Sequence, residues 1–547
     1  MVRPDPSQLA VAAALFSSVA EEMGVSLGRT AHSPNIKERR DYSCAVFDAR
    51  GRLVAQAAHI PVHLGAMPSA VRAALPLAPF APGDVIILND PYLGGTHLPD
   101  ITMVSPVFLS NEDRQPIGFV ASRAHHADVG GIAPGSMPLA EELIQEGIVI
   151  PPIKLYEGDR PNRGVLDLLL RNTRAPTERR GDLDAQVAAQ RTGERRLREV
   201  VQRFGALQSR RLMAALMDYA ERMTRAALAT IPAGEYEFQD FLDDDGVGNE
   251  PVPIRVRVLA GDGTLHCDFT GSAPECPSSI NAVAAVTRSA VYYVVRCLLE
   301  AMPGGEAVPA NEGCFRPVKL TLPERSVVNA SPPRAVAGGN VETSQRIVDV
   351  VLGALAQALP DVIPAASAGT MNNVAIGGHH PERNEAFAYY ETVGAGAGAG
   401  PGADGLDAVH THMTNTMNTP VEALEMTYPF RVLEYTIRRG SGGSGRRRGG
   451  DGVVRTWEFA CPAAVTLLTE RRRLAPWGLA GGHPGARGRN ILRRRGSQSE
   501  VFLPSKVHLK IEAGDRLTLE TPGGGGWGVE TQRSPVPSHF LHATLEI

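Results

Sequence analysis

PGDVIILNDPYLGGTHLPDITMVSPVFL, residues 82–109, is the stretch on which the reading of the chain turns. Val85–Leu88 is a short apolar run closed by Asn89-Asp90-Pro91, the pattern of a buried strand that opens into a polar loop. A second such strand, ITMVSPVFL (101–109), runs into the turn residues Asn111–Asp113, and a third, PIGFVASRAHHADVGG (116–131), again ends in a polar, glycine-rich loop. Upstream, SCAVFDARGRLVAQ (43–56) turns at Ala49-Arg50-Gly51 and reads as a hairpin. From about 165 to 230 the apolar spacing becomes helical, in LDLLLRNTR, DLDAQVAAQRTGERRLREVVQRFG and RLMAALMDYAERMTRAAL. Strands return at VPIRVRVLA and LHCDFTG, and helices at SAVYYVVRCLLEAM and ETSQRIVDVVLGALAQAL. Strands and helices thus come in blocks, which predicts a mixed α/β (α+β) fold of several subdomains.

The loops after these strands carry the chemistry. One holds Asn89, Asp90 and Tyr92, then Gly94-Gly95-Thr96-His97-Leu98-Pro99-Asp100; the other holds His125-His126-Ala127-Asp128 before Gly130-Gly131. His97 and Asp100, three apart across a proline, can turn toward one point. With His125 or His126 they make a mixed nitrogen and oxygen set suited to zinc, manganese or iron(II) rather than calcium or magnesium. Asp41, on the hairpin in Glu38-Arg39-Arg40-Asp41, is a possible fourth ligand. A single HxxD pair is more often an ordinary hydrogen-bonded loop; two clusters on successive strand ends are what raise the metal reading. A second polar segment, His410-Thr411-His412-Met413-Thr414-Asn415-Thr416, offers His410, His412 and Asn415 to the amide or carboxylate groups of a small molecule, with a threonine-rich half-exposed strand as the plainer alternative.

Composition narrows the class. At 547 residues the chain exceeds what one core usually serves. Breaks in composition near 240 and 370 divide it into an N-terminal metal-site domain with a helical segment (1–240), a middle α/β domain (241–370), a glycine-rich, β-rich C-terminal domain (371–528) and a tail (529–547). An apolar fraction of 43%, a charged fraction of 21% and a net charge of −4 give no basic footprint for nucleic acid. Six cysteines without a CxxC pair signal neither a zinc ribbon nor a disulfide framework. The first residues read as an amphipathic helix interrupted by Glu21 and Glu22, without a signal-peptide layout, and no uninterrupted apolar stretch is long enough for a bilayer. A cytoplasmic protein is expected. No GxxxxGK[ST] phosphate loop or GxSxG elbow is present. The runs GAGAGAGPGADG, GSGGSGRRRGG, GGHPGARG and TPGGGGWG are bounded by strands and read as tight loops with close backbone approach.

IKERRDYSCAVFD, PGDVIILNDPYLGGTHLPD and AHHADVGG resemble the hydantoinase B family, as do NTRAPTERRGDLDAQVAA, DFTGS, GGNVETSQRI, GTMNN, HTHMTNTMNTPVEALE, SGGSGRRRGGDG and TPGGGGWG. These blocks run in the family's order from near residue 30 to about 528. The family includes B-type subunits of ATP-dependent N-methylhydantoinases and 5-oxoprolinases, lactamases of the caprolactam type, and large subunits of acetone and acetophenone carboxylases. The resemblance implies a hydantoinase B-like fold and a divalent metal held by Asp41, His97, Asp100 and His125, with His125 favoured because it leads its motif. It implies ATP bound by a separate A-type subunit, hence a hetero-oligomer, which phosphorylates the carbonyl of a small cyclic amide before the B-type chain completes ring opening. Asp128 or Glu38 would be the base, or would orient a ligating imidazole. The alternatives are a subunit of an ATP-dependent ketone carboxylase and a non-catalytic scaffold with a structural metal. In one place the chain departs from the family pattern: Arg439-Gly440 precede Ser441-Gly442-Gly443, where an acidic residue is usual.

Overall fold

The computed structural model describes residues 5–57 and 59–530. The tail anticipated from 529 onward lies, beyond residue 530, outside the described residues. The five strands read from the sequence, with two more at 153–157 and 160–161, assemble into a seven-stranded sheet of β1 (Tyr42–Asp48), β2 (Leu53–Gln56), β3 (Val85–Leu88), β4 (Asp100–Val107), β5 (Gly118–His125), β6 (Ile153–Glu157) and β7 (Arg160–Pro161). Their order is β2-β1-β5-β4-β3-β6-β7, every neighbour antiparallel. β1, β4 and β5 are buried along their whole length, which is why they read as continuous apolar runs rather than as an alternation.

Both faces of this sheet are covered. Helices Pro6–Thr30, Pro176–Phe204 and Ala206–Leu228 lie on one face and bury Phe16, Val19, Met23, Leu197 and Leu216 against Val46 and Val120. Helix Met67–Ala74 lies on the other, with Met67 and Val71 among Phe47, Ile86, Leu88 and Phe119. Helix Pro6–Thr30 is, by length and hydropathy, long and apolar enough to cross a bilayer, although Glu21 and Glu22 interrupt its apolar run; its buried stripe packs against the sheet.

A four-stranded sheet built from Gly234–Leu242, Val252–Gly261, Thr264–Asp268 and Val318–Thr321 follows, packed on helices Ala284–Glu300 and Ser344–Ala358. The second helix is entered through a π-helical turn, Gly339–Thr343, within GGNVETSQRI, three residues before the helix start read at Glu342. Such turns arise where the ladder is locally widened, often at functional sites. The last third forms two sheets around a core of Ile376, Tyr389, Trp457, Val465 and Leu517.

The glycine runs pack backbone on backbone. Successive N–H groups of Gly523–Gly526 bond to Ala486, Gly450, Ala366 and His483 in turn, at 3.1, 2.9, 2.8 and 2.9 Å. Bonding returns to the same neighbouring segment, 483–486, after three residues, the period of a polyproline-II-like chain. A Cβ on Gly524 would fall 2.0 Å from the Ala397 carbonyl oxygen, and one on Gly525 2.1 Å from that of Trp477, so only glycine fits. The turn before Ser441 forms despite Arg439: Gly440 takes φ 77° and Gly442 donates to Asp451 at 2.8 Å.

Candidate metal centre

Three antiparallel neighbours, β1, β5 and β4, bring three side chains into one row. Across the β4–β5 ladder Asp100 stands opposite His125. Across β1–β5, Tyr42 pairs with Ala124, so Asp41 is next to His125, whose N–H donates to the Asp41 carbonyl at 3.0 Å. Opposed residues project to the same face of a sheet. His97 joins from the loop that enters β4, where the Asp100 N–H closes back on the His97 carbonyl at 3.1 Å.

The resulting cluster is buried and tight. Asp100 Oδ1 lies 3.2 Å from His97 Nε2 and 3.5 Å from His125 Nδ1, and Asp41 Oδ2 lies 3.9 Å from the same His125 nitrogen. His97 is fully buried, Asp100 and His125 nearly so. Ligand atoms of His97, Asp100 and His125 all lie within 4.8 Å of one another. Neither His97 nitrogen, nor His125 Nε2, has a hydrogen-bond partner among the described residues. Buried polar atoms left this way cost about 1–3 kcal/mol each. The nitrogen and oxygen donors with unclaimed imidazole lone pairs fit a divalent ion of the zinc, manganese or iron(II) type.

Electrostatics agree with the geometry. Burial alone would raise Asp100; the imidazoles of His97 and His63 and hydrogen bonds from His125 and His63 outweigh it and hold the carboxyl well below its usual range. Burial lowers His125, against the pull of Asp100 and Asp41, so the ring is held neutral, the state in which it can ligate.

The sheet distinguishes the two adjacent histidines. His126 projects to the opposite side, where its Nε2 is 2.8 Å from Gln186 Oε1 on helix Pro176–Phe204; burial, with Arg179 adding, pushes it down to about 4. Asp128 is engaged elsewhere. Its Oδ1 accepts from Arg174 Nη1 at 2.7 Å, and its Oδ2 from the Arg174, Thr173 and Gly130 donors. Glu38 is half-buried where the short helix Pro34–Lys37 ends, three residues before Asp41.

The 410–416 segment is irregular rather than a strand, and it lies against the loops of the cluster. Val62 N–H donates to the Met413 carbonyl at 3.3 Å, and Arg39 bridges from Asn35 to the Tyr390 carbonyl, Thr392 and Thr416. His410 keeps part of its surface open, but its Nε2 is enclosed and unpartnered among the described residues; burial, with Arg39 adding, pushes it down to about 3. His412 turns to Asp349, 3.5 Å away, and Asn415 is exposed.

Two contributors escaped the sequence reading. Tyr390 stacks on His125 with ring centres 4.4 Å apart and donates its hydroxyl to Asn373. His63, 1% exposed, sits 3.3 Å from Asp100 Oδ2 through its Nε2. The signal for it was the H-x-x-x-H of HIPVHLG (59–65), without a neighbouring acid to mark it.

A family model for hydantoinase B/oxoprolinase matches residues 5–530. The chain belongs to the hydantoinase B/oxoprolinase family. It is 40% identical to 5-oxoprolinase 1 of Arabidopsis thaliana over 96% of this chain and 42% of that protein. It is 32% identical to a putative D-/L-hydantoinase B-type subunit of Pseudomonas sp. (strain NS671), over 97% of this chain and 91% of the relative. The chain therefore spans about two-fifths of the 5-oxoprolinase and nearly all of the hydantoinase subunit. Among solved structures it superposes on the ATP-dependent caprolactamase from Pseudomonas jessenii with a TM-score of 0.88 at 30% identity, covering 96% of this chain and 91% of that one.

Proposed function

We propose that this hydantoinase B family chain is the metal-bearing B-type component of an ATP-dependent cyclic-amide hydrolase, of the 5-oxoprolinase or N-methylhydantoinase kind, working with a separate ATP-binding A-type subunit. The observation that carries the reading is that ligand atoms of His97, Asp100 and His125 lie within 4.8 Å of one another in a buried site where neither His97 nitrogen has a hydrogen-bond partner among the described residues. The names of the relatives support the reaction class, and the near full-length match to a B-type hydantoinase subunit supports the division of labour.

Asp41, His97, Asp100 and His125 would hold the ion. A divalent ion there supplies Lewis-acid polarisation and a bound water of lowered pKa. An amide is a poor electrophile because resonance stabilises it, so activation by phosphoryl transfer on the partner precedes the work of this chain. His410, His412 and Asn415 would line the substrate's polar groups, with the enclosed His410 Nε2 as the unclaimed partner and His412 held by Asp349. Of the two acids considered as bases, Asp128 is saturated by Arg174 and Thr173, so Glu38 is retained. The solvent-excluding stack of Tyr390 on His125 keeps the ring from turning.

The test is ring opening by the chain co-expressed with an A-type partner, offering 5-oxoproline, hydantoin and caprolactam, with ATP, bicarbonate and divalent metals varied. ATP-dependent ring opening that needs the partner and disappears on chelation is expected. A product formed only from a ketone with bicarbonate, or turnover by this chain alone, would overturn the assignment.

A further inference from the structure

Asp100 divides the work of its two oxygens. Oδ1 faces His97 and His125. Oδ2 accepts from the Thr96 hydroxyl at 2.5 Å and lies 3.3 Å from His63 Nε2. His63 ends the 3-10 turn Pro61–His63, and its Nδ1 is 2.9 Å from Ser43 Oγ on β1. Ser43 stands two residues after Asp41 in the extended chain, hence on the same face of the sheet. Its Oγ in turn accepts the Ile60 N–H at 3.2 Å.

This chain of contacts has a direction. An ionised carboxylate only accepts, so His63 Nε2 donates to Asp100 Oδ2. Nδ1 meets the Ser43 hydroxyl on the other side of the ring, and the Ile60 N–H fixes that hydroxyl from behind. The other members lack such support, since His97 Nδ1 and His125 Nε2 find no partner among the described residues. Asp100 is the ligand held from outside, and His63 with Thr96 does the holding.

We infer that His63 is a positioning residue of the metal centre: oriented by Ser43, it holds Asp100 Oδ2 away from the ion and presents Oδ1 alone. The inference rests on the ligand set proposed above. A histidine present only to fill the core would make the same contacts with protein but would leave metal affinity alone. Groups that orient metal ligands change affinity about 10- to 100-fold when removed.

The experiment uses the full chain in four forms: unaltered, His63→Leu, His63→Gln and Ser43→Ala. Zinc and cobalt(II) affinities are measured by competition with a chromophoric chelator. The cobalt absorption spectrum and the melting curve of each metal-free form are recorded alongside. His63→Leu is expected to bind about 10- to 100-fold more weakly with an altered cobalt spectrum. His63→Gln, which restores an N–H donor, recovers most of that loss, and Ser43→Ala loses a few-fold. Wild-type affinity and spectrum in a folded His63→Leu would overturn the inference. So would wild-type affinity in Ser43→Ala, which decides the matter if the leucine variant does not fold. Failure of the unaltered chain to bind either ion would instead sink the metal reading itself, and the inference with it.

Discussion

Two of the dense polar clusters buried among the described residues are solved in opposite ways. At the junction of the middle sheet with the last third, Asp240 is 3.0 Å from Arg346 and 2.7 Å from Arg471, Asp349 is 2.8 Å from Arg471, and Glu470 pairs with Lys506 at 2.5 Å. Arg346 and Arg471 are almost wholly enclosed, and every acid has a fixed cation. At the end of β1, β5 and β4, two carboxylates meet three imidazoles, and the nearest guanidinium, Arg39, reaches Asp41 only at 4.0 Å. Where cohesion alone is needed, the chain supplies its own positive charge. Where lone pairs are left unclaimed, a removable cation would complete the site. A buried charge is tolerated only when compensated, so the kind of compensation separates a structural network from a cofactor site.

The comparison breaks most sharply if one member of each cluster is deleted. His97→Ala should abolish ring opening, by at least about a thousandfold if metal activation is lost, consistent with the lowering of a bound water's pKa from ~15.7 to about 7. An A-type partner should still hydrolyse some ATP, and the variant should fold. Undiminished ring opening would remove His97 from the ligand set. Arg471→Met should do the reverse. It leaves Asp240 and Asp349 short of a buried cation and should destabilise the fold by about 3–5 kcal/mol in denaturant titrations, with metal affinity unchanged. A loss below about 1 kcal/mol would mean that the network relaxes or admits water.

The two clusters also differ in how readable they were. Asp41, His97, Asp100 and His125 could be put forward because Asp41, Asp100 and His125 stand at the ends of strands whose apolar runs are plain in sequence, His97 lies three residues before one of them, and the family resemblance joins the four. The resemblance favoured His125 over His126 because it leads its motif; the register adds the physical reason, since Asp100 pairs with His125 while His126 faces Gln186. His63 stayed hidden because it rides on a turn between elements, and its partners Ser43 and Asp100 lie 20 and 37 residues away by number. The junction network was not legible at all. Arg346 and Arg471 look like surface arginines, one on a helix and one opening the run Arg471–Arg473, and only the packing of three distant segments buries them. The π-turn before Ser344 likewise has no local signature, since the helical spacing read from Glu342 onward gives no sign of a widened ladder.

Metal should stabilise only through the first cluster. At a hundredfold excess over Kd, an ion binding the folded chain alone adds about 2.7 kcal/mol. Chelation should therefore lower the denaturation midpoint of the unaltered chain and of Arg471→Met, but not of His97→Ala. Equal shifts in all three would place the ion elsewhere.

Glu146 sharpens the comparison from outside both clusters, as a buried acid given neither cation nor metal. Its Oε1 accepts the Val336 and Ala337 N–H groups at 2.9 and 2.8 Å, and its Oε2 has no partner among the described residues. Burial outweighs those two donors and pushes its pKa up to about 8. The acid thus stays protonated in the folded chain where the unfolded chain, with a glutamate pKa near ~4.3, has already ionised. Between these values the native state holds the extra proton, so this group's contribution to stability is full below about pH 4 and is lost as pH rises toward 8, levelling off above it. Glu146→Gln imitates the protonated acid and should lie close to the unaltered chain at pH 5. It should gain on it with rising pH, by no more than about 1.4 kcal/mol per pH unit. Parallel stability curves for the two chains from pH 5 to 9 would show that Glu146 is ionised and finds a compensating charge after all.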